Sequence, residues 1–94
     1  MPKLEWLRFA VADLLTIVEY ISADNPDAAQ RVKDDIQAKA EKLKDFPEMG
    51  RPGRVEGTRE LVLWANYILV YQENAFTIKI LRVLHAAQQW PPSS

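Results

Sequence analysis

Apolar and polar positions change period several times along the chain, and each change predicts an element. Residues 3–7, Lys-Leu-Glu-Trp-Leu, alternate as a half-buried strand does. From Phe9 the period lengthens. Val11, Leu14, Leu15, Val18 and Ile21 form one stripe of an amphipathic helix. Ser22-Ala23-Asp24-Asn25-Pro26 then stops one helix and starts another. Asn25 is a good N-cap, Pro26 suits the first helical position, and Asp27 complements the positive end of the dipole. The second stripe is Ala29, Val32, Ile36, Ala40 and Leu43, carried to about Phe46. Its outer face holds Lys33, Asp34, Asp35, Lys39, Glu41, Lys42 and Lys44. So short a connection predicts an antiparallel helical hairpin.

Pro47 ends the second helix, and Gly50-Arg51-Pro52-Gly53-Arg54 reads as a loop. Three strands follow: Arg59 to Trp64, Tyr67 to Gln72 and Phe76 to about Leu84. A tight turn at Ala65-Asn66 and a hairpin turn at Glu73-Asn74 join them. Apolar residues occupy both parities of these strands. One sheet face should therefore lie under the helices and the other be partly covered by something else. Residues 85–89 read as a single helical turn before the tail Trp90-Pro91-Pro92-Ser93-Ser94. The expectation is α+β: an N-terminal strand, an antiparallel two-helix hairpin, then a three-stranded antiparallel meander, all in one sheet. Strand 1 should sit at an edge beside a sequentially distant strand.

Composition narrows the chemistry. Ninety-four residues suit a single domain, residues 1–94, and 48% apolar content suits a packed core. There is no cysteine and only one histidine, so disulfides are excluded and a zinc site is improbable. The start lacks a signal-peptide hydrophobic region, and no apolar run reaches the ~20 residues that span a bilayer. A cytoplasmic protein with no metal, no cofactor and no membrane partner is expected.

Net charge is -1, too small to steer the protein toward nucleic acid, but it is unevenly spread. Residues 1–49 carry seven Lys/Arg against ten Asp/Glu; residues 50–94 carry five against three. Four arginines lie in the second half: Arg51, Arg54, Arg59 and Arg82. Surface solvation is the simplest account of them. The alternative is a cationic rim, with Arg51 and Arg54 on the loop, Arg59 opening a strand, and Arg82 and His85 closing another. Such a set suits phosphate or carboxylate recognition. Alternation places Arg82 beside Ile78, Ile80 and Leu84, where a guanidinium needs a carboxylate such as Glu60. Trp6 reads as core, Trp64 and Trp90 as partner contacts, and Tyr67 and Tyr71 as sheet packing.

Several segments together carry a resemblance. They are Ala12-Asp13-Leu14-Leu15-Thr16-Ile17, Tyr20-Ile21, Asn25-Pro26-x-Ala28, Leu43 to Pro47 with Gly50-Arg51, Gly57-Thr58-Arg59-Glu60-Leu61, Tyr67 to Tyr71, and Ile80 to His85. Over roughly residues 3 to 91 this ordered set resembles the RelE/ParE superfamily of bacterial toxins, the plasmid-stabilisation type. The resemblance implies a type II toxin neutralised by a cognate antitoxin, with operator DNA bound only through that antitoxin. It implies one of two actions or, as a further alternative, a non-toxic member that only binds its antitoxin. ParE-like members poison DNA gyrase and are not nucleases. RelE-like members cleave mRNA on the ribosome without a metal, for which Arg59, Arg82 and His85 would be the catalytic set. Arg51, Arg54, Glu60, Trp64 and Trp90 would then hold partner or phosphate. RelE-like nucleases typically carry a C-terminal tyrosine; this chain has Ala86, Ala87, Gln88 and Gln89 there, which favours the ParE-like action.

Overall fold

The computed structural model describes residues 2–91, so Pro92, Ser93 and Ser94 of the expected tail lie outside the described residues. Strand β1 (Lys3–Trp6) leads into helices α1 (Arg8–Ser22) and α2 (Pro26–Lys42). Strands β2 (Arg51–Pro52), β3 (Arg59–Val62), β4 (Tyr67–Glu73) and β5 (Thr77–His85) follow, with a 3-10 turn over Trp64–Asn66. The five strands make one sheet in the order β1-β5-β4-β3-β2.

Local signals account for most boundaries. The Asn25 side chain accepts the Ala28 N–H at 3.0 Å, and Pro26 opens α2. The turn between β4 and β5 is held by Asn74, whose Oδ1 accepts from the N–H groups of Phe76 and Thr77. Ala65 and Asn66 both take left-handed backbone angles, φ 58° and 64°, to reverse the chain between β3 and β4.

Four expectations need correction. β1 does sit at an edge beside the distant β5, but it runs parallel to it, so the sheet is mixed. Residues 51–52 are not purely loop: Arg51 pairs with Glu60 and Pro52 with Arg59 to add a fifth strand. Proline is tolerated there because its missing N–H costs nothing at a sheet edge. Helix α2 ends at Lys42, and Phe46, past one further turn over residues 43–45, stands out in solvent. In α1 the buried residues are Ala10, Leu14 and Ile17, with Val18 and Ile21 packed against them, while Val11 and Leu15 face solvent. The stripe is rotated because the sheet meets α1 at Ala10, where a small side chain permits close approach.

The main core lies between the hairpin and one sheet face. Ala10, Leu14, Ile17, Ile36, Ala40 and Leu43 of the helical half meet Leu69, Tyr71, Ile78, Ile80 and Val83. A second, smaller cluster of Ile68, Val70 and Leu84 lies on the opposite face, covered by Leu81 and Trp90 rather than by a helix. The two sets interleave along β4 because successive strand residues point to opposite faces. The expected double coverage of the sheet is observed.

Candidate functional site

A β-bulge determines where Arg82 points. Val70 pairs with Arg82 and the next residue, Tyr71, pairs with Ile80, so Leu81 is the extra residue on β5. Alternation is reset at that point. Ile78 and Ile80 remain in the helix-covered core, whereas Arg82, opposite Val70, and Leu84 belong to the open face. The expectation that these four share one face is overturned by that single inserted residue.

The Arg82 guanidinium reaches round the free edge of β5 to α1. Its Nε and Nη2 donate to the two carboxylate oxygens of Asp13 at 2.7 and 2.9 Å. The same carboxylate accepts the Val83 N–H at 2.9 Å. Leu7 makes the last backbone bond from the β1 side, to Ile80 O, before the chain turns into α1. Asp13 thus occupies the place a longer β1 would have taken, satisfying an edge N–H and a guanidinium together. This hydrogen bond is the main reason the Arg82 pKa is raised above its already high ordinary value. Asp13, not Glu60, is therefore the partner of Arg82. The other side of the guanidinium faces the Trp90 ring, 5.8 Å from its centroid.

Glu60 has a different task. It is only 2% exposed and faces the open side opposite Val70. One carboxylate oxygen accepts the Arg54 backbone N–H at 2.8 Å; Arg51 Nη2 lies at 3.5 Å and Arg54 Nε at 3.7 Å. Arg54 also reaches Ala86 O at 3.5 Å. The carboxylate ties the 50–54 segment to β3 and holds both arginines at the rim of the open face. Gly53 lies against this anchor, and a Cβ there would overlap the Thr58 hydroxyl. Around the apolar floor of Ile68, Val70 and Leu84, the fold thus gathers Arg51, Arg54, Glu60, Arg82 and Trp90. The indole N–H of Trp90 is buried with no hydrogen-bond partner among the described residues.

The other three predicted residues lie elsewhere. Arg59 opposes Tyr71 and so belongs to the helix side of the sheet, where it donates to Glu73 at 3.2 Å and to Gly50 O at 2.9 Å. His85 opposes Tyr67 and packs edge-on against it, ring centroids 5.4 Å apart, while its Nδ1 accepts the Ala87 N–H at 3.1 Å. Trp64 is exposed on the 3-10 turn and flanks Ala28 and Val32 of α2. Arg59 and His85 do not share a rim. In a meander the first and third strands run parallel, so the start of β3 and the end of β5 lie at opposite ends of the sheet.

Two residues that matter to the site were not singled out by periodicity. Asp13 had a signal, a lone carboxylate in the largely apolar 9–18 stretch. Tyr71 looked like sheet packing, yet its hydroxyl donates to Pro47 O at 2.7 Å and accepts the Gly50 N–H at 2.9 Å. Burial pushes this phenol above its ordinary pKa, against the opposing pull of the Gly50 hydrogen bond. Any Cβ at Gly50 would stand 2.8 Å from the Tyr71 ring and hydroxyl, so that position requires glycine.

Known proteins share this arrangement of elements. Residues 4–90 match the family described as the ParE toxin of the type II toxin–antitoxin system parDE. Among curated proteins, the chain is 43% identical over 90 residues to the toxin-type protein Y4kP of Sinorhizobium fredii, covering 95% of this chain and 93% of the relative. It is 35% identical over 88 residues to Toxin RelE2 of Caulobacter vibrioides, covering 94% and 99%. Among solved structures it is similar to a chain of the chromosomal ParDE toxin–antitoxin system from P. aeruginosa, with a TM-score of 0.82 and 29% identity over 90% of this chain and 96% of that one. With a match that runs from β1 to the Trp90 segment, the chain belongs to the ParE toxin family of type II toxin–antitoxin systems.

Proposed function

We propose that this toxin acts in the ParE-like way, on DNA gyrase, and that the open sheet face is where a cognate antitoxin neutralises it. The observation that carries the reading is the dispersal of the residues RNA cleavage would need. Metal-free cleavage at a 2′-hydroxyl requires a base, an acid and cations converging on one phosphate. Here Arg59 is engaged by Glu73 and Gly50 on the helix side, Arg82 by Asp13 at the β5 edge, and His85 leans on Tyr67. What does converge is a docking surface: the apolar floor, the exposed Val62 and the Trp90 ring, rimmed by Arg51, Arg54 and Arg82. That composition suits an antitoxin segment presenting apolar side chains and carboxylates. A supercoiling assay with purified toxin and gyrase tests the action. Inhibition with accumulation of a cleavage complex is expected; neither at saturating toxin would overturn it.

A second reading, mRNA cleavage on the ribosome, draws support from the name of the relative RelE2. It predicts discrete cut sites in translated mRNA after induction, abolished by Arg82→Ala. Uncut message alongside growth arrest excludes it.

A further inference from the structure

The segment directly after α2 displays apolar side chains beyond the stripe that the helix buries. Phe46 is 61% exposed and Met49 41%, and with Pro47 they line a groove that Lys42, Asp45, Glu48 and Glu73 complete. Large apolar groups so displayed lose hydration free energy without a packing return, so their support is informative. The support is extensive. Phe46 N–H donates to Lys42 O, and Met49 N–H donates to Phe46 O, both at 3.0 Å. From beneath, the Tyr71 hydroxyl bridges Pro47 O and the Gly50 N–H, and Arg59 Nη1 holds Gly50 O. The backbone between the two exposed side chains is thereby pinned to β3 and β4. A rigid display of this kind lowers the ordering cost of binding.

Charge identifies the occupant. Glu73 is neutralised by Arg59. Asp45 and Glu48, by contrast, have no ion-pair partner among the described residues; Lys42, likewise unpaired there, is the one cation lining the groove, so the rim is net acidic. An acidic rim over an apolar floor complements a segment with an apolar anchor flanked by Lys or Arg. The open sheet face has the reverse polarity, with three arginines around its floor. We infer that the Phe46–Met49 groove is a second docking surface, for a basic, apolar peptide segment of a partner protein, separate from the cationic open face. The inference stands independently of which target the toxin acts on.

Two fluorescein-labelled twelve-residue peptides test it, both with leucines at the same positions, one with lysine and the other with glutamate between them. Anisotropy titration of the purified chain should show saturable binding of the lysine peptide at least 10-fold tighter than of the glutamate peptide. Phe46→Ala with Met49→Ala should weaken it at least 10-fold, and Asp45→Lys with Glu48→Lys should reverse the preference. Tyr71→Phe removes no groove side chain, so a several-fold loss would identify Tyr71 as a positioning residue. Circular dichroism of each variant establishes that it is folded. Equal binding of both peptides, no binding, or binding indifferent to the alanine pair would overturn the inference. So would sedimentation showing concentration-dependent self-association abolished by that pair, since the occupant would then be a second copy of the chain.

Discussion

The two faces of the sheet are made by the same strands and are built to different ends. Toward the helices, Leu69, Tyr71, Ile78 and Ile80 are completely buried and meet a continuous layer from α1 and α2. On the other side, Ile68, Val70 and Leu84 are equally apolar and nearly as buried, but their cover is Leu81, one tryptophan and a fringe of arginines. Adjacent Val62 is left more than half exposed. The first face uses its burial to hold the fold, while the second keeps an apolar floor under a thin, charged cover. A surface of that kind can exchange its cover for a partner, which is why the open face is the docking site for the antitoxin in the reading above.

Truncations at matched depth should separate the faces most clearly. Ile80→Ala, beneath the helices, is expected to cost about 3–5 kcal/mol, because the helical layer cannot collapse into the cavity. Ile68→Ala should cost nearer 2 kcal/mol, since side chains of the open face can settle inward. Urea unfolding of both variants measures the difference, and equal losses would break the distinction.

Next in size is the clamp that lets a residue of the open face reach back to the helices. Asp13→Ala removes a side chain only 17% exposed, strips a partner from both Arg82 and the Val83 N–H, and is expected to cost about 2–3 kcal/mol. Arg82→Met in the Asp13→Ala background should then add less than it does alone. Full additivity in this double-mutant cycle would mean that the two side chains are not coupled.

Glu60→Gln keeps the shape of the open-face anchor and removes its charge. A loss of about 1–2 kcal/mol is expected from the weakened bond to the Arg54 N–H. Hydrogen exchange should show faster opening of residues 51–54 while α1 is unchanged. Uniform acceleration across the chain would instead place Glu60 in the global core.

The smallest effect belongs to Tyr71→Phe, about 1 kcal/mol for the exchanged hydrogen bonds. It carries a pH signature. The folded-state pKa is raised, so the folded protein holds this proton more tightly than the unfolded chain does. The stabilisation is fully present below the unfolded value of about 10 and is lost as pH rises through the higher folded value. Wild-type stability should therefore fall above about pH 10, more steeply than that of Tyr71→Phe. Parallel curves would show that the hydroxyl does not titrate in the native state.

These contrasts also show which features were legible in the chain itself. The capped start of α2, the turns at Ala65-Asn66 and Asn74, and the interleaving of Ile68 and Val70 with Leu69 and Tyr71 are local. Each depends on side chains within a few residues of one another, so the periodicity of the chain reports them directly. The edge position of β1 followed from topology. The candidate site was half legible. Arg51, Arg54, Glu60, Arg82 and Trp90 were singled out and do share a face. Arg59 and His85, grouped with them by charge and strand end, do not: they oppose Tyr71 and Tyr67 on the helix side, and strand direction in the meander sends them to opposite ends.

The amino-acid sequence by itself determined an α+β chain with two helices, the second of them capped, three meander strands, and the order of segments shared with ParE toxins. These follow from propensities and spacings that operate over a single turn or hairpin. Only the tertiary structure decided that Leu81 bulges and that Asp13, sixty-nine residues from Arg82 along the chain, completes its hydrogen bonds. It also decided that the Tyr71 hydroxyl pins a loop over twenty positions away. The physical reason is common to all three. A buried polar group must find a partner wherever the packed chain supplies one, and distance along the sequence carries no weight in that choice.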